Sequence, residues 1–318
     1  MRLNREIGFV LILAMAFANP GRAVQIEPGM TYNTTAPTGT NVPNWDTGWA
    51  QPAGEPEGTN VTGWDYVGQV NGLSGTYLGD GWVLTAAHVG AGNLTLDGQT
   101  YDVLSNTTQD IYATSNQVDL VLFQVDTTST TGATLDLPAL TISTNDPTAF
   151  AYGTTGSSVV MIGYGGGSKS WGLNTVTLVN YTTPVSAGGH NYVSNDFFTY
   201  TGTTTYGNES VTNDAQLVSG DSGGGDFIYN AATGQWELAG INEVKGTFTN
   251  NQDETQNLSG FVQLDTYEPQ IEADITAVPE PPAPLLLGFG LVLLWGVKRL
   301  RRRLGAPTAS KGTCCQLV

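Results

Sequence analysis

Between Trp64 and Leu264, apolar residues fall in short runs separated by clusters of Gly, Asn, Asp and Thr. Tyr66–Val70, Gly75–Leu78, Trp82–Thr85, Leu120–Val125, Ser158–Gly163, Thr175–Asn180, Phe227–Tyr229 and Trp236–Ile241 are all β-branched or aromatic in character. Many short runs with frequent turn signals predict an all-β barrel or sandwich. A helical period shows once: Tyr267, Ile271 and Ile275 recur at i, i+4 and i+8 behind Asp265 and Glu268, and Pro269 suits a first turn. This predicts a short terminal helix after the strand Phe261–Leu264. Residues Val24–Gly63 keep no period and are rich in Thr, Asn, Pro and Gly, as expected of an extended lead segment.

The two ends have a different pattern. Residues 1–23 carry Arg2 and Arg5, the apolar stretch Ile7–Phe17, and the small residues Gly21 and Ala23. This is the pattern of a signal peptide, with cleavage expected around Ala23. At the other end Val278-Pro-Glu-Pro is followed by an uncharged stretch, 285–297, and then by the basic cluster Lys298–Arg303. Thirteen residues are fewer than the ~20 that cross a bilayer unaided. The ordered trio at 278–303 resembles the PEP-CTERM sorting signal of exopolysaccharide-producing Gram-negative bacteria. That resemblance implies an exported protein held in the inner membrane by 285–297 with its basic end inside, and processed by an exosortase-like enzyme. The protein would then remain membrane-anchored or be released to the cell surface or matrix. Residues 304–318 form a tail beyond the usual end of such a signal.

Composition sharpens this division. The 318 residues carry a formal charge of −17, yet the body from 23 to 279 holds only Lys169 and Lys245 against 26 acidic side chains, a formal −24. No basic face exists for nucleic acid. With 40% hydrophobic residues the chain has enough apolar surface for a core. Both cysteines, Cys314 and Cys315, lie in the tail, so the body folds without a disulfide.

Three short segments carry chemistry. Gly220-Asp-Ser-Gly-Gly-Gly225 can form a tight, glycine-lined turn that exposes the Ser222 hydroxyl among backbone N–H groups. His88 follows the apolar strand Trp82–Thr85 and two small residues, where an imidazole can be held beside a cleft. The other histidine, His190, sits in Gly188-Gly-His-Asn, a surface-loop setting. Asp119 opens the apolar strand 120–125, and a carboxylate there needs a donor such as an imidazole N–H. Asp110, flanked by polar residues, is the weaker choice.

Thr85-Ala-Ala-His88, Asp119-Leu-Val-Leu and Gly220-Asp-Ser-Gly-Gly224, in that order, resemble the histidine, aspartate and serine motifs of the chymotrypsin-like (trypsin-like, S1) serine proteases. The resemblance spans about 64–276. It implies two six-stranded antiparallel β-barrels with a short C-terminal helix and a cleft between the barrels. Ser222 would be the nucleophile, His88 the general base and acid, Asp119 its orienting carboxylate, and the N–H groups of Gly220 and Ser222 the oxyanion hole. The substrate would be a protein or peptide, and no cofactor or metal is required. Gln216, six residues before Ser222, would sit in the specificity pocket, with Glu243 or Asn242 lining it too.

The sequence departs from that family in three places. Gly225 stands where Pro is usual, no Ile-Val-Gly-Gly-like start precedes the first strand, and Asp221 lacks an evident partner for the new N-terminus that zymogen cleavage would provide. The competing reading is a catalytically idle β-barrel adhesion or matrix protein. Trypsin acting on the denatured body is expected to cut only at Lys169 and Lys245, while chymotrypsin- or elastase-type enzymes fragment it widely. Peptide mapping by mass spectrometry checks this.

Overall fold

A computed structural model describes residues 23–26, 31–52, 61–206, 209–249 and 255–277. All of the expected signal peptide but Ala23, the sorting segment 278–303 with its apolar stretch, and the tail 304–318 lie outside the described residues. Among the described residues no helix is long and apolar enough to cross a membrane.

In chain order come β1 (Gln25–Ile26), the single turn α1 (Gly63–Tyr66), β2 (Val67–Val70), β3 (Leu73–Gly79), β4 (Trp82–Thr85), β5 (Leu94–Leu96), β6 (Gln99–Tyr101), β7 (Gln109–Ala113) and β8 (Asn116–Gln124). They are followed by β9 (Ser158–Gly163), β10 (Ser170–Ala187), β11 (His190–Tyr206), β12 (Glu209–Asn213), β13 (Ala215–Gln216), β14 (Gly225–Asn230), β15 (Gln235–Thr249), β16 (Thr255–Gln263) and α2 (Glu268–Thr276). Two seven-stranded antiparallel sheets result, beside the two-stranded pair β1-β13. The first runs β6-β5-β2-β3-β4-β8-β7, and the second runs β10-β9-β14-β15-β16-β11-β12.

The two-barrel layout is the one expected, with seven strands in each sheet rather than six. Long β10 pairs with β9 through 170–175 and with β11 from Val176 onward, so the second sheet wraps back on itself, and β12 extends its edge beside β11. The first sheet stays open, and only the bridge Val103–Val125 reaches from beyond β6 toward the end of β8. The predicted runs at 82–85 and 158–163 coincide with β4 and β9. The β-branched and aromatic residues of these strands are buried on both faces, which is why they contain no polar alternation. The strands without a strong apolar run, β1, β5, β6, β7, β11, β12 and β13, are those that the hydrophobic pattern misses.

One continuous core joins the sheets, taking Leu84, Leu122 and Phe123 from the first and Val160, Ile162, Phe227 and Leu238 from the second. Helix α2 buries Ile271 in the same core, with Pro269 in its first turn as required.

The lead segment is built into this core, although its sequence shows no period. Trp45 is fully buried, with its ring 5.0 Å from Trp49, 4.9 Å from Trp236 and 6.2 Å from Phe227, all edge-on. Trp49 stacks on Trp236 at 5.6 Å. Isolated aromatic anchors give no periodic signal, yet each such ring buries 150–250 Å². Strand β1 pairs with β13, which tethers the segment to the second sheet's side of the molecule. Trp45→Ala is therefore expected to destabilise the fold by about 3–5 kcal/mol, read as a lower urea midpoint. An unchanged midpoint would show the segment to be dispensable.

Candidate active site

The first half of the site is set by β4 and β8. These strands pair through Thr85 and Val121, so that the turn following β4 lies beside Asp119. In that turn the N–H of Val89 donates to Ala86 O at 2.9 Å, and buried Ala86 allows close packing. Asp119 is fully buried and is gripped twice by His88: the backbone N–H donates to Oδ1 at 2.9 Å, and ring Nδ1 lies 2.6 Å from Oδ2. The two contacts fix both the position and the orientation of the imidazole and place the ring proton on Nδ1. Nε2 is thereby left as the acceptor. Asp110 is exposed on edge strand β7, opposite Val121, and it is Asp119 that His88 contacts.

The second half is the serine loop between β13 and β14. Ser74 on β3 donates its N–H to Ser222 O at 3.0 Å and its hydroxyl to Gly220 O at 3.1 Å, and the Thr76 hydroxyl donates to Gly223 O at 3.2 Å. From the other side, Gly223 N–H donates to Asn242 O at 2.9 Å. The loop is thus clamped between the two sheets. Gly223 has φ +88°, and a Cβ there would lie 2.0 Å from Thr85 Oγ1 and 2.2 Å from Ser74 O, so no larger residue fits.

Beneath the loop sits Asp221, with no exposed surface. Its carboxylate accepts the N–H groups of Val24 at 3.1 Å and Val218 at 2.7 Å on Oδ2, and of Gly165 at 3.0 Å on Oδ1. Burial pushes its pKa up to about 6, against the pull of these N–H donors and the charge of Lys245. The question of what pairs with Asp221 is answered by backbone from two distant segments, at Val24 and Gly165, and from its own loop at Val218.

His88 and Ser222 line one cleft of about 570 Å³, together with Gln216, Gly220, Glu243 and Lys245. No hydrogen bond joins His88 to Ser222, and among the described residues none engages the N–H of Gly220 or Ser222. Gln216, on β13, donates to Gln25 Oε1 at 3.2 Å, so the lead segment also reaches the cleft wall. Glu243 borders the cleft but is only 4% exposed, and its Oε1 accepts the Ser194 hydroxyl at 2.8 Å. Among the described residues no cluster of ligating side chains could hold a metal ion.

Residues 73–241, more than half of the chain, match the family described as the trypsin-like peptidase domain. The chain belongs to that family. As a trypsin-like peptidase it also resembles solved proteases distantly. The NS6 protease of murine norovirus is 14% identical over 64% of this chain and 99% of its own, with a TM-score of 0.37. The MamO protease domain of Magnetospirillum magneticum is 16% identical over 64% and 89%, with a TM-score of 0.35. No curated protein matches the sequence.

Sequence reasoning did not find Ser194, Asp196 or Val24. The Ser194 hydroxyl accepts the Asp119 N–H at 3.2 Å, and Asp196 is fully buried nearby. The one local hint was an acid, Asp196, set directly before Phe197-Phe198. Burial raises the pKa of Asp196 to about 8 and of Asp265 to about 6, and holds Asp226 and Glu243 well above the usual carboxylate range.

These shifts set the direction of the pH dependence. Between about pH 4 and 8 the fold keeps protons that the unfolded chain releases, so stability falls as pH rises through that window. Thermal melting is expected to be highest in mildly acidic buffer, near pH 5, and to drop toward pH 8. A Tm that rises over this range would contradict the protonated state of the buried acids.

Proposed function

We propose that this trypsin-like peptidase is an exported serine endopeptidase acting through Ser222, His88 and Asp119. The observation that supports it is a histidine held twice by Asp119, through ring Nδ1 at 2.6 Å and its backbone N–H at 2.9 Å, lining the same cleft as a serine on a clamped, glycine-lined turn. Ser222 Oγ attacks the scissile carbonyl as His88 Nε2 takes its proton, and the same proton passes to the leaving amine. Asp119 stabilises the imidazolium. The N–H groups of Gly220 and Ser222 receive the developing oxyanion, where one donor is typically worth about 10²–10³ in rate. The Nε2–Oγ bond, open in the resting cleft, closes around substrate, since catalytic hydrogen bonds are often long in free enzymes and tighten only in the complex.

Export and maturation fit the same arrangement. Cleavage after Ala23, the expected signal-peptide boundary, turns the Val24 N–H already beside Asp221 Oδ2 into an ammonium. Signal removal then creates the ion pair under the serine loop, with no arginine or lysine needed at the cut. The C-terminal segment would hold the enzyme at the inner membrane until an exosortase-like partner processes it.

A fluorophosphonate probe tests the reading. Protein beginning at Val24 is expected to be labelled, Ser222→Ala is not, and protein that keeps residues ahead of Val24 is labelled at least about tenfold more slowly. A folded wild type that stays unlabelled would leave an idle barrel.

A further inference from the structure

Behind Asp119 lies a second set of buried acids that the catalytic scheme does not use. The Asp119 N–H donates to Ser194 Oγ at 3.2 Å, and the Ser194 hydroxyl donates to Glu243 Oε1 at 2.8 Å. Three strands, β8, β11 and β15, are joined by this chain of bonds. A hydroxyl has one proton to give, and Glu243 decides where the Ser194 proton goes. With that proton committed, the Ser194 lone pairs face the Asp119 backbone.

Glu243 is itself in an unusual position. Its Oε2 and both oxygens of Asp196 are buried with no hydrogen-bond donor of ordinary geometry. Asp196 and Glu243 are fully and almost fully buried, and the two carboxyls lie within hydrogen-bonding reach of each other. The groups facing the pair are Asp119 from β8, Thr183 from β10, Ser194 from β11 and Tyr267 ahead of α2, none of them a cation. Two ionised carboxylates in contact, with the Ser194 hydroxyl as their one donor of ordinary geometry and no counter-ion, would carry a largely uncompensated desolvation cost. A proton between them turns one acid into a donor for the other and accounts for two of the three orphaned oxygens. Burial acts in the same direction and raises both pKa values.

We propose that Glu243, sharing a proton with Asp196, is a positioning residue that holds Asp119, and through it His88, by way of Ser194. The proposal rests on the serine-peptidase reading, and it moves Glu243 from the cleft wall to the support of the catalytic acid.

Two substitutions separate this role from simple packing. Glu243→Ala frees the Ser194 hydroxyl, and the fluorophosphonate inactivation step (kinact) is expected to fall about tenfold with KI unchanged, the worth of roughly one buried hydrogen bond. Glu243→Gln keeps the acceptor for Ser194, supplies an N–H to Asp196 and is permanently neutral, so it restores most of that loss. A Gln variant as slow as the Ala variant would overturn the proposal, as would a change in KI alone, which would make Glu243 a substrate contact. Ser194→Ala should mimic Glu243→Ala, and it keeps the measurement available if the latter fails to fold.

A second readout does not need catalysis. The sequence has two histidines, so the Nδ1 proton of His88 can be followed by NMR with His190 as an internal reference. Its signal is expected to move in Glu243→Ala and to return in Glu243→Gln. An unlabelled wild type with this pattern intact would fail the peptidase reading and leave the positioning role standing, whereas an unmoved His88 signal in Glu243→Ala would overturn that role.

Discussion

The site depends on one buried carboxylate. Asp221 lies directly before the candidate nucleophile, fully enclosed, and gathers N–H groups from the lead segment, from the turn after β9 and from its own loop. An anion without solvent persists only where donors converge on it. Here two segments of backbone that are remote in sequence, at Val24 and Gly165, must be in place before the serine loop is. The glycines around it follow from this requirement. A Cβ at Gly163 would lie 2.4 Å from Asp221 Oδ1, and one at Gly165 would lie 2.9 Å from it. Gly163 and Gly165 therefore leave the space that the carboxylate occupies.

From this anchor the rest of the site follows by clamping. Ser74 and Thr76 of β3 hold the serine loop on the side of the first sheet, and Asn242 of β15 holds it on the side of the second. The same β3 passes Ser74 O to the Thr85 hydroxyl at 2.7 Å, at the end of the strand that presents His88. The candidate base and the candidate nucleophile are thus referenced to one strand, although they come from opposite sides of the cleft. Preorganisation of this kind places a dipole-lined turn around the serine without relying on a disulfide, and the body indeed has no cysteine.

The chemistry was more legible in the sequence than its support. His88, Asp119 and Ser222 stand in motifs whose local order survives without knowledge of the fold, and β4 and β9 were plain because both their faces are apolar. The lead segment was opaque, since Trp45 and Trp49 act as single anchors and leave no period. Ser194, Asp196 and Glu243 were opaque for another reason: their roles arise from cross-strand neighbours on β11, β15 and β8, and a strand's own residues do not reveal what faces them. Val24 was invisible as a partner because 197 residues separate it from Asp221.

The most direct measurement is the rate of fluorophosphonate labelling of Asp221→Asn against wild type, with far-UV circular dichroism to confirm that the fold is kept. Asn carries no charge and offers these N–H groups one accepting oxygen in place of two, while its NH2 group faces the remaining donor. The account predicts a native spectrum with labelling slowed by on the order of 10²-fold, as loss of two or so charge-assisted bonds implies. Labelling at the wild-type rate in a natively folded Asp221→Asn protein would contradict the claim that this carboxylate sets the serine loop.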